Sequence, residues 1–321
     1  MIGIVIVTYK SYDRIKEYVE KDLLPCTLPR KIVVVDVGSE RSSAERIAAS
    51  LGVKVSEFDD APTGDVIVLH VQENLGYARG NNYGARYLLK HFPETEQLLF
   101  SNDDVRFIKG PVLETLVEKL REHPDVAAIG PDVVDLKGNH QGPLHNHPTI
   151  WQTIGGNICE PLLGRYRSDR IFKPMPPKRE AGVVAICSGC FLMVSAADFV
   201  RVGMFDERTF LFWEEEILSR RLEAIGKRFY FEDSVQIQHL VGASTAVQKG
   251  PNMLQLKNML AGGNLYYRCY DKCRWPAYLL LRLSNGVRLF LVYLALLKYK
   301  LKRTLGGNDD VPSSGNQRVN Q

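Results

Sequence analysis

Residues 98–107, "LLFSNDDVRF", decide how this chain of 321 residues is read. An apolar run (Leu98, Leu99, Phe100) with the character of a buried strand opens into Ser101-Asn102-Asp103-Asp104. Adjacent carboxylates at the end of a core strand repel each other and lose hydration, so they need a positive charge nearby. Oxygen donors so placed suit a hard divalent cation, Mg²⁺ or Mn²⁺, which commonly keeps open positions for phosphate oxygens. The plainer alternative is an Asx turn, in which the Asn and Asp side chains bond their own backbone as the strand closes.

The residues upstream put that strand into a repeating frame. "GIVIVTY" (3–9), "KIVVVDVGS" (31–39), "VIVLH" (66–70) and "QLLF" (97–100) are short apolar runs. Between and after them lie helical patterns at 12–24, at 42–51 with Ser42 or Ser43 as cap, at 77–92, and at 110–123 with Pro111 in its first turn. Strands this apolar, separated by helices, predict an α/β fold with a parallel sheet covered on both faces. Ligands of such sheets bind beyond the carboxyl ends of the strands. Thr8-Tyr9, Asp36 and Asn102–Asp104 all fall at strand ends and are expected to line one edge. No GxGxxG follows the first strand and no GxxxxGK[ST] occurs, which removes most support for a dinucleotide or P-loop protein.

Farther on, residues 133–182 lack periodicity and are rich in Gly, Pro, His and Arg, which predicts long loops of the kind that form a lid or acceptor surface. Order returns with the strand-like "GVVAICSGCFLMV" (182–194), a short helix at 196–202, a turn at "GMFDE" (203–207) and a helix from Trp213 to Ala224. "KRFYFE" and "SVQIQHL" read as two strands, the chain from Asn252 onward as helical, and 308–321 as a disordered tail. A net charge of +4 with no Arg-rich, aromatic-interleaved patch argues against nucleic acid. The six cysteines form no disulfide framework, and Met1 leads straight into a strand, so a reducing, cytoplasmic setting is expected. Cys187 and Cys190 form a CxxC, but no second Cys/His pair stands at ligand spacing, and buried packing is the favoured reading.

"ENLGYARGNNYG" (73–84) gathers three glycines with Asn74, Asn81 and Asn82 around a helix start. Gly76 lets the backbone turn tightly, the helix N-terminus offers N–H groups to an anion, and Asn side chains can fix sugar or base edges. Together, "IVIVTYK", "VVVDVGS", "NLGYARGNNYG", "SNDDV", "CSGCFLMV…VGMFDERTFLFWEEEILSRRL" and "HLVGAS" resemble the family 2 glycosyltransferases of the GT-A fold, rhamnosyltransferase-like bacterial branch. The marks run in the family's order from residue 2 to residue 244. The resemblance implies a Rossmann-like nucleotide-sugar-binding sheet flanked by helices. It implies a catalytic domain over 1–250, with a nucleotide-binding half (1–130) and an acceptor-binding half (131–250), and a helical segment over 251–307.

It further implies that Thr8, Tyr9 and Asp36 embrace base and ribose, and that Asn74, Gly76 and Asn81 line the nucleotide-sugar pocket. Asn102 and Asp104 stand where the family's DxD-type motif stands, with Asp104 the direct metal ligand and Asp103 on the donor's ribose or sugar. The Asn at the first position lowers the charge of the site. His239, opening H-x-x-G-x-S, supplies a third ligand or a diphosphate contact; a lone His at a strand end is otherwise just a polar cap. In "FWEEEILSRRL" (212–222), acids in the first helical turn favour the dipole, but glycosyl transfer also needs a base for the acceptor hydroxyl. Alignment on the family's Glu-Asp pair makes Glu215 that base and Glu214 the alternate, while Ile217 stands where a further Asp is usual. Asp206 either binds acceptor or closes a turn, and Trp213 is a second acceptor candidate.

The expected activity is metal-dependent, inverting transfer of a sugar, rhamnose from its thymidine-diphosphate form being the leading choice. The acceptor is a hydroxyl of a lipid-linked or growing cell-surface glycan. The alternatives are a degenerate sugar-nucleotide-binding or membrane scaffold without turnover, motivated by Asn102 and Ile217, and a sugar nucleotidyltransferase, for which "TYKSYDR" is a poor match. The segment 275–303 is strongly apolar but interrupted by Arg282, Asn285 and Arg288, and its longest uncharged stretch, Leu289–Leu297, is short for a spanning helix. It predicts C-terminal amphipathic helices in the membrane interface, at the inner face of the plasma membrane, over packing on the catalytic domain or on a second subunit as a homodimer.

Overall fold

The computed structural model describes residues 1–11, 14–163, 179–240 and 252–305. β1 (Ile2–Thr8), β2 (Arg30–Val37), β4 (Val66–Val71) and β5 (Gln97–Ser101) form the first half of the sheet, with the short β3 (Val55–Ser56) at its edge. The helical connections are α1 (Ile15–Tyr18, extended by a π turn over Val19–Leu23), α2 (Arg41–Ser50) and α3 (Gly76–His91). β6 (Val105–Lys109), α4 (Val112–Glu122), β7 (Val126–Val134), α5 (Ile150–Leu163), β8 (Gly182–Val184), β9 (Phe191–Ser195), α6 (Ala196–Arg201), α7 (Glu214–Glu223) and β10 (Arg228–His239) follow. The chain closes with α8 (Met253–Leu265), a π turn over Tyr266–Tyr270, and α9 (Trp275–Leu305).

The strands form one sheet in the order β3-β4-β2-β1-β5-β9-β7-β10-β6, with β8 beside β10. The first half is parallel as expected, but the whole sheet is mixed, because β9 runs antiparallel between β5 and β7 and β6 runs antiparallel to β10. That reversal positions the site. Thr8 pairs with Asp36 and Asp36 with His70 at the carboxyl ends of β1, β2 and β4. Ser101 pairs with Phe191, which brings the start of β9 and the Cys187–Cys190 turn to the same edge. His239 pairs with Val105 and completes it from the far side.

Several local expectations need correction. α2 starts at Arg41 with Glu40 as N-cap, so neither Ser42 nor Ser43 caps it, and Ser43 is instead buried. Pro111 is the N-cap residue of α4 and lies before its first turn. The aperiodic stretch 133–182 contains the helix α5, whose irregular pattern reflects packing on α9 in place of the main core. The apolar run 182–194 is two strands joined by a turn, and "KRFYFE" and "SVQIQHL" are one strand whose register shifts between Glu232 and Gln236. The C-terminal region holds a single long helix, α9; its part Trp275–Lys298 spans 24 residues and is long and apolar enough, by length and composition, to cross a membrane. Interrupting polar residues do not shorten a helix whose polar side faces a partner: Asn157 donates to Ser284 and Asn285, and Arg288 pairs with Glu160. The tail 308–321, residues 12–13 and most of "HLVGAS" lie outside the described residues.

Each face of the sheet carries its own apolar layer, since alternate strand residues point to opposite sides. On one face Phe100 is fully buried and packs against Phe199 and Phe205, with ring centroids 4.9 Å away in each case. Phe100→Ala leaves a cavity directly beneath the Asn102–Asp104 turn, and urea unfolding is expected to show a loss of about 3–5 kcal/mol.

Candidate functional site

β5 ends at Ser101 and β6 begins at Val105, so Asn102-Asp103-Asp104 is the whole turn between them. The Asn102 backbone N–H donates to Cys190 O at 2.9 Å, which seats the turn against the start of β9. Asp103 is buried, and its Oδ2 lies 2.7 Å from Thr8 Oγ1. Burial raises its pKa, the Thr8 hydrogen bond opposes that, and the charge of Asp104 adds to the rise. Asp104 meets a basic side chain: its Oδ1 is 3.1 Å from His239 Nε2.

His239 is held at the other nitrogen. Its Nδ1 is 2.9 Å from Gln141 Oε1, which accepts a hydrogen bond from Nδ1–H and turns Nε2 toward Asp104 and toward Asn102 Nδ2, 3.2 Å away. Burial works to lower the His239 pKa, but Asp104 and the Cys190 sulfur outweigh it and raise it to about 10. Among the described residues no three His, Cys, Asp or Glu side chains cluster as metal ligands.

The expected donor residues lie along the neighbouring strand ends. Asp36 is fully buried; among the described residues neither oxygen makes a well-formed hydrogen bond, Ser39 and Ser43 stand near it, and His70 Nδ1 is 3.7 Å from Oδ2. Burial raises its pKa. Tyr9 is exposed beyond β1, with the Lys10 ammonium over its ring. Asn74 Oδ1 accepts from Gly76 N, and Gly76, at φ +68°, presses on the Phe210 carbonyl, to which Tyr77 N donates. Two N–H groups at the start of α3 are therefore already bonded. Asn81 donates to Tyr77 O while its buried Oδ1 has no partner among the described residues.

On the opposite side stands α7, entered through two consecutive left-handed residues, Phe212 (φ 78°) and Trp213 (φ 75°). Non-glycine residues in this region cost of order 1–3 kcal/mol each and persist where the surroundings hold them. Here the Trp213 indole donates to Met259 O at 2.9 Å and lies on Gly262 and Gly263 of α8, where a Cβ would approach it to 2.8 and 3.2 Å. Tyr266 and Tyr267 pack around it. The turn aims Glu215 at Gly189: a Cβ on Gly189 would sit 1.5 Å from Glu215 Oε1. Tyr77 OH donates to Gly189 O at 2.6 Å and fixes that surface. Burial raises the pKa of Glu215; burial first, and then repulsion from Glu215, pushes Glu214 and Glu216 up to about 8.

The site is thus continuous. His239 touches Cys190, and Glu215 rests on the adjacent Gly189. Residues 3–203 match the model of the glycosyl transferase family 2, well over half of the chain. The chain belongs to that family. The N-acetylglucosaminyl-diphospho-decaprenol L-rhamnosyltransferase of Mycobacterium tuberculosis is 23% identical over 257 residues, 76% of this chain and 78% of the relative. The rhamnosyltransferase WbbL of Escherichia coli strain K12 is 26% identical over 171 residues, 51% of this chain and 60% of the relative. In fold, the chain is similar to the mannosyltransferase PcManGT of Pyrobaculum calidifontis, solved with GDP-Man and Mn²⁺, at a TM-score of 0.53 and 16% identity over 95% of this chain and 76% of that one. The protein is a glycosyltransferase built on a GT-A sheet.

Three parts of this glycosyltransferase's site escaped the sequence. Gly189 was hidden in an apolar run, although a Ser-Gly pair between two cysteines is a turn signal. Tyr77 and Gln141 hold other site residues from distant loops and leave no mark in a local pattern. Of the two readings of Asp206, the turn is the one seen, since its Oδ1 accepts from Arg208 N, and Trp213, an acceptor candidate, is engaged internally. The Asp206 carboxylate bonds Arg208 and Tyr270 and pairs with Arg221.

Gly189→Ala is expected to displace Glu215 and lower transferase turnover about 100-fold with little change in the melting temperature, measured side by side. Burial opposes ionisation of Asp206, but Arg208, Tyr270 and Arg221 outweigh it and bring its pKa from 3.8 to about 2. A depressed carboxylate pKa stabilises the fold above the unfolded value, and the effect fades as pH falls through the folded one. Asp206→Asn is therefore expected to melt lower than wild type at pH 7, with the gap narrowing from about pH 4 down to about pH 2.

Proposed function

We propose that this glycosyltransferase is a metal-dependent, inverting enzyme that moves a sugar from a nucleoside-diphosphate donor to a hydroxyl of a lipid-linked or growing cell-surface glycan. Rhamnose from its thymidine-diphosphate form is the leading donor, supported by the two rhamnosyltransferase relatives. The observation that carries the reading is the adjacency of two chemistries. The Asp104–His239–Asn102 group lies at Cys190, and the Glu215 carboxylate lies at Gly189, one residue away.

The donor set fits a divalent cation. One carboxylate, one imidazole whose Nδ1 is already held, and one amide that can present its oxygen suit Mn²⁺ or Mg²⁺, with sites left for substrate phosphates. The neighbouring fold relative holds Mn²⁺. A bound cation supplies charge neutralisation for the departing nucleoside diphosphate. The chain's own residues do the remainder. Asp103, fixed by Thr8, offers a buried carboxylate to the donor's ribose or sugar. The buried Asp36 carboxylate, without a well-formed hydrogen bond among the described residues, is a ready acceptor for a donor N–H or O–H in the nucleotide. Glu215, made more basic by burial, removes the acceptor proton as the hydroxyl attacks the anomeric carbon from the face opposite the leaving group. One displacement inverts the configuration, and no carboxylate nucleophile is needed.

Release of nucleoside diphosphate is measured from TDP-rhamnose, UDP-glucose, UDP-galactose and UDP-N-acetylglucosamine, with and without Mn²⁺ and with a lipid-linked acceptor extract. The expected result is Mn²⁺-dependent release from TDP-rhamnose, reduced at least about 100-fold in Asp104→Ala and in Glu215→Gln. Donor binding without release under all these conditions overturns the reading in favour of a scaffold.

A further inference from the structure

Asp132 is a buried acid on β7, 7% exposed, and the chemistry above makes no use of it. Its carboxylate joins two segments of chain. Oδ1 lies 2.7 Å from His140 Nδ1, and Oδ2 accepts from the Gln236 amide on β10. A carboxylate is the acceptor in such a pair, so the His140 nitrogen is the donor. The Arg179 guanidinium stands 4.0 Å from Oδ1 and balances its charge. Each partner is close in sequence to one half of the bond that orients the site. His140 directly precedes Gln141, and Gln236 lies three residues before His239.

Strand geometry shows why that matters. After β7 the chain turns at Asp135, whose Oδ1 accepts from Lys137 N and Asn139 N at 2.8 Å each, and comes back with His140 opposite Val134. Gln141 N then donates to Val133 O at 2.8 Å. The returning segment pairs with β7 through an isolated bridge, too little backbone to fix its register firmly. Side chains alternate between the two sides of a sheet, so Asp132, Val134 and His140 share one side while Gln141 falls on the other, with His239. A slip of one residue would carry Gln141 away from the histidine. On the neighbouring strand, Gln236 faces Asp132 in register just after β10 shifts between Glu232 and Gln236. We infer that Asp132 is a positioning residue of the transferase site: by holding His140 and Gln236 on one carboxylate, it sets the register in which Gln141 meets His239. The inference rests on the function proposed above only for the cation that His239 would help to hold.

The first measurement needs neither metal nor turnover. In the full-length chain the hydrogen-bonded Nδ1 proton of His239 is expected as a downfield proton NMR resonance, identified by its loss in His239→Gln. Gln141→Ala removes the acceptor and gives the signature of an unheld ring. His140→Ala and Asp132→Asn, which leaves one acceptor for two donors, are expected to reproduce that signature. His140→Asn, whose amide nitrogen can stand in for Nδ1, is expected to keep the wild-type resonance. Mn²⁺ binding, followed by the EPR signal of the free ion, is expected to weaken at least about tenfold in His140→Ala and in Gln141→Ala. The double variant is expected to lose no more than Gln141→Ala alone, since both changes act through one bond. An unchanged His239 resonance in His140→Ala overturns the proposal, whether or not the buried Asp132 variant folds. So does a loss in His140→Asn as complete as in His140→Ala, which assigns His140 to packing of the turn. Absence of the resonance from the wild-type chain also overturns it, because the bond to be positioned is then not made. Wild-type chain that shows the resonance but binds no Mn²⁺ counts against the metal reading alone, and the resonance in the variants then decides this proposal.

Discussion

The contact between Asp104 and His239 holds together the two halves of the site. Asp104 belongs to the turn that ends the parallel half of the sheet, and His239 to the last strand, 135 positions later in the 321-residue chain. Each is buried enough to be costly alone. Together, with Gln141 setting the histidine's orientation, they make a polar centre that a cation or a proton can occupy. The mixed topology follows from the same requirement. β9 has to run antiparallel to bring Gly189 and Cys190 to the edge at which the parallel strands end, and β10 has to reach past β7 so that His239 arrives beside them.

Around that centre the structure separates positions that need freedom from positions that need rigidity. The acidic helix begins with two left-handed non-glycine residues, a conformation that would relax without support. That support comes from α8, whose paired glycines admit the Trp213 indole, and from the tyrosines of the turn that follows. The C-terminal helices are therefore part of what aims Glu215, as well as a surface beyond the catalytic domain. Asp206 contributes from behind: its carboxylate ties the turn before α7 to Arg221 within that helix and to Tyr270 after α8. Of the two roles open to Asp206 from sequence, acceptor binding and turn closure, the bonds it makes are those of the turn.

The C-terminal helix shows how a sequence pattern can mislead in two directions. Arg282, Asn285 and Arg288 break its apolar run and suggest separate amphipathic pieces. In the fold Asn285 and Arg288 face α5, where Asn157 and Glu160 meet them, while Arg282 lies on the side toward α8, across from Lys257 and Leu260. The helix is consequently continuous, with Asn285 and Arg288 toward α5 and an apolar stripe on its exposed side.

By itself, the sequence determined the parallel first half of the sheet, because runs such as Ile32–Val35 are too apolar for a half-exposed strand and alternate with amphipathic helices. It also determined that Thr8, Asp36 and Asn102–Asp104 share an edge, since strand direction alone puts carboxyl ends together. Only the tertiary structure decided that β9 is antiparallel, that Gly189 makes room for Glu215, that Gln141 orients His239, and that Asp206 and Trp213 are held internally. Each of these depends on contacts between residues far apart in the chain. A local pattern records what a segment does with its own neighbours, while the identity of a distant partner is set by how the layers pack.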